Sequence, residues 1–134
     1  MLYDGVCGLC DFAVQWLLRH DRRAVLTFAP LQGETARPYL AAARGSDFDG
    51  GLGTLVLVLR DEHGAEQVLV RSRAIFRILR RMGGPWSLLA LFGVLPVVLT
   101  DAAYRFVSRR RRKWFGQLES CRLPDAATRG RFLP

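Results

Sequence analysis

The stretch Asp4-Gly5-Val6-Cys7-Gly8-Leu9-Cys10 decides how the rest of the chain is read. Two cysteines separated by two residues can close a small disulfide ring. From Asp11 onward the pattern turns helical. Phe12, Val14, Trp16, Leu17 and Leu18 are apolar, while Asp11, Gln15, Arg19 and Arg23 recur every four residues as a polar stripe. Cys7 therefore stands at a helix start, where unpaired backbone N–H groups and the helix dipole favour a thiolate. This spacing predicts two sulfurs at bonding reach. Cys7 would be the exposed, easily ionised attacking thiolate and Cys10 the resolving thiol. Asp4 has two readings. It relays the resolving cysteine's proton from a partly buried position, or it bonds backbone N–H groups in the Asp-Gly turn.

Before this stretch, Leu2-Tyr3 reads as the stub of a first strand. After the helix, which should end near His20-Asp21, residues 24–29 read as a buried strand closed by Pro30. Strand, helix, strand suggests a parallel crossover. Residues 34–43 give a weaker helix interrupted by Pro38, and 45–53 a loop rich in Gly, Asp and Ser. Residues 54–59, Thr-Leu-Val-Leu-Val-Leu, lack polar alternation and so predict a strand covered on both faces. Residues 66–70 pair back on it as a hairpin. Ser72 is placed to cap a helix with inner face Ile75, Ile78, Leu79 and Met82, stopped by Gly83-Gly84-Pro85.

The order β-α-β-α-β-β-α over residues 1–84 predicts an α/β, three-layer core of the thioredoxin/glutaredoxin kind, with the cysteine loop at the C-terminal edge of the sheet. A helical extension over 85–121 follows, within one domain. An apolar helix at 86–95 leads to Pro96, which opens a second helix running into Arg109-Arg110-Arg111-Arg112-Lys113, with Gly116 as its C-cap. Residues 122–134 have little to bury and are expected to be loosely held.

Composition bounds the setting. The three cysteines, Cys7, Cys10 and Cys121, are too few and too odd for a disulfide-stapled secreted fold and fit a reducing compartment. The N-terminus shows no basic signal region, and the longest apolar run, 88–99, falls short of the roughly 18 residues of a membrane span. A cytoplasmic protein is the expectation. The net charge of +8 is uneven: 11 basic and 9 acidic residues over 1–100 give +2, and 9 basic and 3 acidic over 101–134 give +6. An anionic partner should be sought at the tail.

The site residues have plainer readings too. A zinc half-site at Cys7 and Cys10 would need two more ligands from Cys121, His20, His63 or carboxylates, and no second CxxC or tight histidine pair exists. No metal or cofactor is expected. Cys121 reads as a small buried residue, with a third redox cysteine as the alternative. Residues 109–113 read as a solvated helix end that complements the dipole, although the run 86–99 and Trp114-Phe115 lean them toward a membrane interface; a further reading pairs some of these arginines with Asp101 or Glu119, or sets them near the active site. Nucleic acid is disfavoured, because no recognition motif accompanies the charge. Trp16, Trp86 and Phe92 read as apolar-face or docking residues, with the core as the expectation, and His20 and His63 are expected toward solvent.

The motif set resembles the DCC thiol–disulfide oxidoreductase family, named for Asp-x-x-Cys-x-x-Cys, here Asp4, Cys7 and Cys10. Other similar stretches are Phe28-Ala-Pro-Leu-Gln32, Ser72-Arg-Ala74 and Gly83-Gly-Pro-Trp86, together with Pro96, Asp101, Tyr104 and the Arg109-x-Arg111…Phe115-Gly116 run. The resemblance covers residues 1–121 and implies a thioredoxin-like fold with disulfide-exchange activity. Its partners would be protein or small-molecule disulfides and thiols. One departure is the absence of proline near Thr54-Leu55, where thioredoxins place the cis-proline that shapes the substrate groove. The alternative reading is a non-catalytic thioredoxin-like module that docks on a membrane surface or partner through its basic C-terminal helix.

Overall fold

The computed structural model describes residues 1–43, 54–119 and 124–134. Its centre is a four-stranded sheet ordered β2-β1-β3-β4, built from β1 (Leu2–Tyr3), β2 (Ala29–Pro30), β3 (Val56–Arg60) and β4 (Glu66–Val70). β1 and β2 are parallel, with Leu2 opposite Ala29, and α1 (Gly8–His20) crosses between them. β3 runs antiparallel to β1 and to β4, in a hairpin register from Val56↔Val70 to Arg60↔Glu66. This is the predicted thioredoxin-like α/β arrangement.

Side-chain alternation sorts the sheet into two cores. Tyr3, Leu57 and Leu59 face α1 and α3 (Arg71–Met82), meeting Val14, Leu17, Ala74 and Ile78. Leu2 and Val56, with Val58 beside them, face α2 (Arg37–Ala43) and its 3-10 lead-in Glu34–Ala36, meeting Ala36, Tyr39 and Leu40. The unbroken apolar run of β3 is thus explained, because both of its faces are covered. The loop expected at 45–53 falls outside the described residues.

The strand expected over 24–29 shrinks to Ala29–Pro30. Its backbone groups are claimed elsewhere: the Asp21 carboxylate accepts from the Val25 and Leu26 amides. The Arg131 guanidinium donates to the Leu26 carbonyl. Phe28 N donates to the Arg131 carbonyl and Phe28 O accepts from Leu133 N. Pro30 does not close the strand but belongs to it. Ala29 N and Leu31 N make the ladder bonds to β1, so the missing proline N–H costs nothing on this edge strand.

The same contacts overturn the expectation of a loose tail. Phe132 packs its ring 5.5 Å from Phe28 and 6.4 Å from Tyr3. Arg131 forms an ion pair with Asp21, which is buried, and Thr35 N donates to the Pro134 carbonyl.

The extension differs in detail from its reading. Gly83 stops α3 at φ 68°, as the glycine pair predicts. The apolar helix is only α4 (Pro85–Leu89), continued by the 3-10 stretch Ala90–Val94, and Phe92 is exposed rather than in the core. Pro96 then caps α5 (Val97–Phe115), and Gly116 ends it at φ 73°. Ser72 does not cap α3: Val70 occupies the cap, and the Ser72 hydroxyl bonds Asp101 and contacts Thr100 on α5. With α5 lying beside α3, Ala74 and Ile78 face the sheet while Ile75 and Leu79 turn toward α5. His20 is half-buried, not solvent-facing. Its ring stacks on Trp16 at 4.4 Å, meets Trp86 edge-on at 5.1 Å, and its Nδ1 bonds the Trp16 carbonyl.

Candidate active site

The cysteine loop sits between β1 and α1, and Cys7 is the N-cap of α1, with extended backbone at φ −94° and ψ 120°. No side chain caps the first turn. Cys7 thus stands at the N-terminus of α1, as the spacing predicts. Both Cys7 and Cys10 are free thiols and lie close to each other. Burial first, and then the charge of Cys7, push the Cys10 thiol up to about 12, against smaller downward pulls from the Asp4 backbone N–H and, less, from the Arg111 cation. The pair thus contains one sulfur held strongly in its protonated form.

Asp4 is buried and fully engaged. Its Oδ1 accepts from Val6 N at 3.2 Å and from Gln32 Nε2 at 2.9 Å, and its Oδ2 lies 3.6 Å from Arg111 Nη2. The turn-forming contact is therefore present, accompanied by two side-chain partners that sequence reading did not assign. Gln32 also accepts from Gly5 N through Oε1, so one amide fastens both sides of the turn. Arg111 is buried, and its Nη1 points at Cys10 Sγ from 3.9 Å.

The exposure order of the two sulfurs is the reverse of the expectation. Cys7 is 3% exposed and Cys10 is the half-buried one. The cause lies a hundred residues downstream. After α5 the chain turns at Gly116 and pairs with the cysteine loop: Gly8 N donates to the Gly116 carbonyl, Leu118 N to the Val6 carbonyl, and Cys7 bridges Gln117. A Cβ on Gly8 would lie 2.3 Å from the Phe115 carbonyl oxygen, so only glycine permits this approach.

α5 also occupies the face opposite the dithiol. Its Tyr104 hydroxyl accepts from Leu55 N at 2.9 Å, and Arg71 N donates to the Leu55 carbonyl. The backbone at the proline-less Thr54-Leu55 position is thus satisfied by the chain itself. Between α1, α3 and α5 lies a half-open cavity of about 470 Å³ with an almost wholly apolar wall. Cys10 forms part of that wall, and Ser72, Tyr104 and Arg111 are among its few polar groups. On α5 the cavity is lined by Thr100, Ala103, Tyr104, Val107, Ser108 and Arg111, one face at helical spacing.

The scattered stretches of the sequence therefore meet at one place: Gln32 on Asp4, Ser72 on Asp101, Tyr104 on Leu55, Arg111 on Asp4 and Cys10, and Phe115-Gly116 on Gly8. The family model described as DCC1-like thiol–disulfide oxidoreductase matches residues 1–117, ending within the segment that covers Cys7. The chain belongs to this DCC1-like family. Its relatives include the uncharacterized protein YuxK of Bacillus subtilis, 37% identical over all of this chain and 93% of that protein. A chloroplastic DCC family protein of Arabidopsis thaliana is 32% identical over 92% of this chain and 68% of its own length. No solved structure matches the chain. In this DCC1-like chain α5 and its return segment are thus part of the family's matched extent, not an appendage to it.

The remaining candidates separate from the site. Cys121 lies outside the described residues. His63 is exposed in the β3–β4 turn, its N–H bonded to Asp61. Among the described residues no three of His, Cys, Asp and Glu are grouped to hold a metal ion. The basic run divides: Arg111 turns inward, while Arg109, Arg110, Arg112 and Lys113 are exposed.

Proposed function

We propose that this DCC1-like protein exchanges disulfides through Cys7 and Cys10, with Cys7 as the nucleophile. The Cys7 thiolate attacks one sulfur of a substrate disulfide and releases the other as a thiol after protonation. Cys10 then gives up its proton and attacks the Cys7 sulfur. That step closes a Cys7–Cys10 disulfide and frees the second substrate thiol, so the substrate gains two electrons and the protein loses two. An external dithiol resets the pair. The observation that carries this reading is the contact between a helix-capping Cys7 and a Cys10 whose proton is strongly held.

Asp4 and Arg111 act on the second step. The carboxylate fixes the guanidinium against Cys10 Sγ, where the cation offsets charge as that sulfur ionises. Asp4 is in this account a positioning residue. The apolar cavity at Cys10 and the satisfied Leu55 backbone favour a small apolar disulfide over an extended peptide, and such a disulfide reaches the covered Cys7 sulfur when residues 116–118 part from the cysteine loop.

The test is reduction of oxidised lipoamide, glutathione disulfide and insulin by the parent, Cys7→Ser and Cys10→Ser proteins. Lipoamide should be the preferred substrate, and both variants should lose turnover. With Cys10→Ser a mixed disulfide should accumulate on Cys7. Equal turnover by Cys7→Ser and the parent would remove the mechanism.

A further inference from the structure

From Arg81 to Asp101 the chain contains no charged residue, and the fold does not bury what lies between. One side of this hairpin is fastened down: Trp86 packs on Trp16 with ring centroids 4.6 Å apart, and Gly93 lies flat against Phe76. The other side is open. Leu88 is 65% exposed, Leu91 64%, Phe92 57%, Val94 85%, Val98 83% and Leu99 58%. A contiguous apolar tip of this kind marks an interaction site on a folded protein. No single helix is long and apolar enough to cross a membrane, and the stretches Pro85–Val94 and Val97–Phe115 meet at 114°. The tip is a bent wedge.

Its border is cationic on both sides. Arg80 and Arg81 close α3 immediately before the uncharged run. On α5 the face away from the cavity carries Arg105, Phe106, Arg109 and Arg110, with the Arg110 guanidinium 4.6 Å from the Phe106 ring centre. Arg105 follows Thr100 by five residues, about 8 Å along the helix, which is the depth separating buried side chains from phosphates for an interfacial helix.

We infer that the 82–100 hairpin is a membrane-docking element that seats its apolar tip in an anionic lipid surface, with the flanking arginines on the headgroup phosphates. A second copy of the chain is the weaker occupant, since face-to-face tips would set arginine border against arginine border. The docking is independent of the redox reading and survives its failure.

The test is co-sedimentation of the full chain with phosphatidylcholine vesicles, with and without about one third phosphatidylglycerol, from about 0.05 to 0.5 M salt. Binding to the anionic vesicles should be at least about tenfold tighter at low salt and should weaken, without vanishing, as salt rises. Val94→Glu with Val98→Glu should reduce that binding by more than about tenfold. Because both side chains are over 80% exposed, the circular dichroism and urea midpoint should stay unchanged. Vesicle binding that the double variant retains would overturn the assignment. So would failure of the parent to bind either vesicle, or a dimer by light scattering that the double variant abolishes in place of vesicle binding.

Discussion

Replacing Gly8 by alanine puts a methyl group where the chain has no room for one. The added Cβ would stand 2.3 Å from the Phe115 carbonyl oxygen and 3.3 Å from that of Gly116. Carbon and carbonyl oxygen rest at about 3.3 Å, so the return segment must retreat by about 1 Å. The Gly8–Gly116 bond, already 3.4 Å long, would then break, and the 2.9 Å bond from Leu118 to Val6 would weaken. Hydrogen bonds of this kind contribute about 1 kcal/mol each, and overpacking costs about 1–3 kcal/mol. The helix itself is not harmed, since alanine suits a first turn better than glycine by up to about 1 kcal/mol. The loss therefore falls on closure over Cys7. A shift of 1–3 kcal/mol in that closure corresponds to about 5–150-fold faster alkylation of Cys7. The assay is iodoacetamide labelling followed by mass spectrometry at about pH 8, where a thiol pushed up to about 12 is ionised in only about one molecule in ten thousand. Cys10 therefore contributes little, and the mass of the labelled peptide separates Cys7 from Cys121. A Gly8→Ala protein with the parental urea midpoint and an unchanged or slower Cys7 rate would refute the covering role of residues 116–118.

Arg111→Met leaves the buried Asp4 carboxylate without its cation, and about 3–5 kcal/mol of stability should be lost in urea unfolding. The same change should push the Cys10 thiol further up, read as slower release of the mixed disulfide. Tyr104→Phe removes the acceptor of Leu55 N and should cost about 1–3 kcal/mol by the same measurement, with Cys7 labelling unchanged. Stability of the reduced protein should depend on pH through Cys10. Its proton is held from the ordinary 9.0 up to about 12 in the fold, so the unfolded chain releases it first. The stabilisation is complete below about pH 9 and declines toward about pH 12. Urea midpoints should follow that fall, and Cys10→Ser should flatten it.

Much of the fold could be read locally. α1, the β3–β4 hairpin, the stop at Gly83 and the start at Pro96 follow from apolar spacing, turn residues and the lack of a proline N–H. The failures share a cause, which is competition from distant groups. Nothing near residues 24–28 announces that Arg131 and Leu133, about a hundred residues on, will take backbone bonds of Leu26 and Phe28. Nothing near Cys7 says that Gly116 and Leu118 will cover it. Phe132 looked like the end of a polar tail until Phe28 gave it a partner. The inward arginine was legible, however. Counting in helical steps from Thr100 through Tyr104 and Val107 reaches Arg111 and passes over Arg109, Arg110 and Arg112, so the basic run holds one site residue among solvated ones.

The central claim is that Cys7 and Cys10 interconvert between dithiol and disulfide. It is tested most directly by equilibrating the protein across reduced and oxidised dithiothreitol ratios, then quenching with an alkylating mass tag. The account predicts one two-electron transition in which the tags on Cys7 and Cys10 disappear together, and which neither single serine variant shows. Both cysteines still taking up the tag in fully oxidising buffer would contradict it.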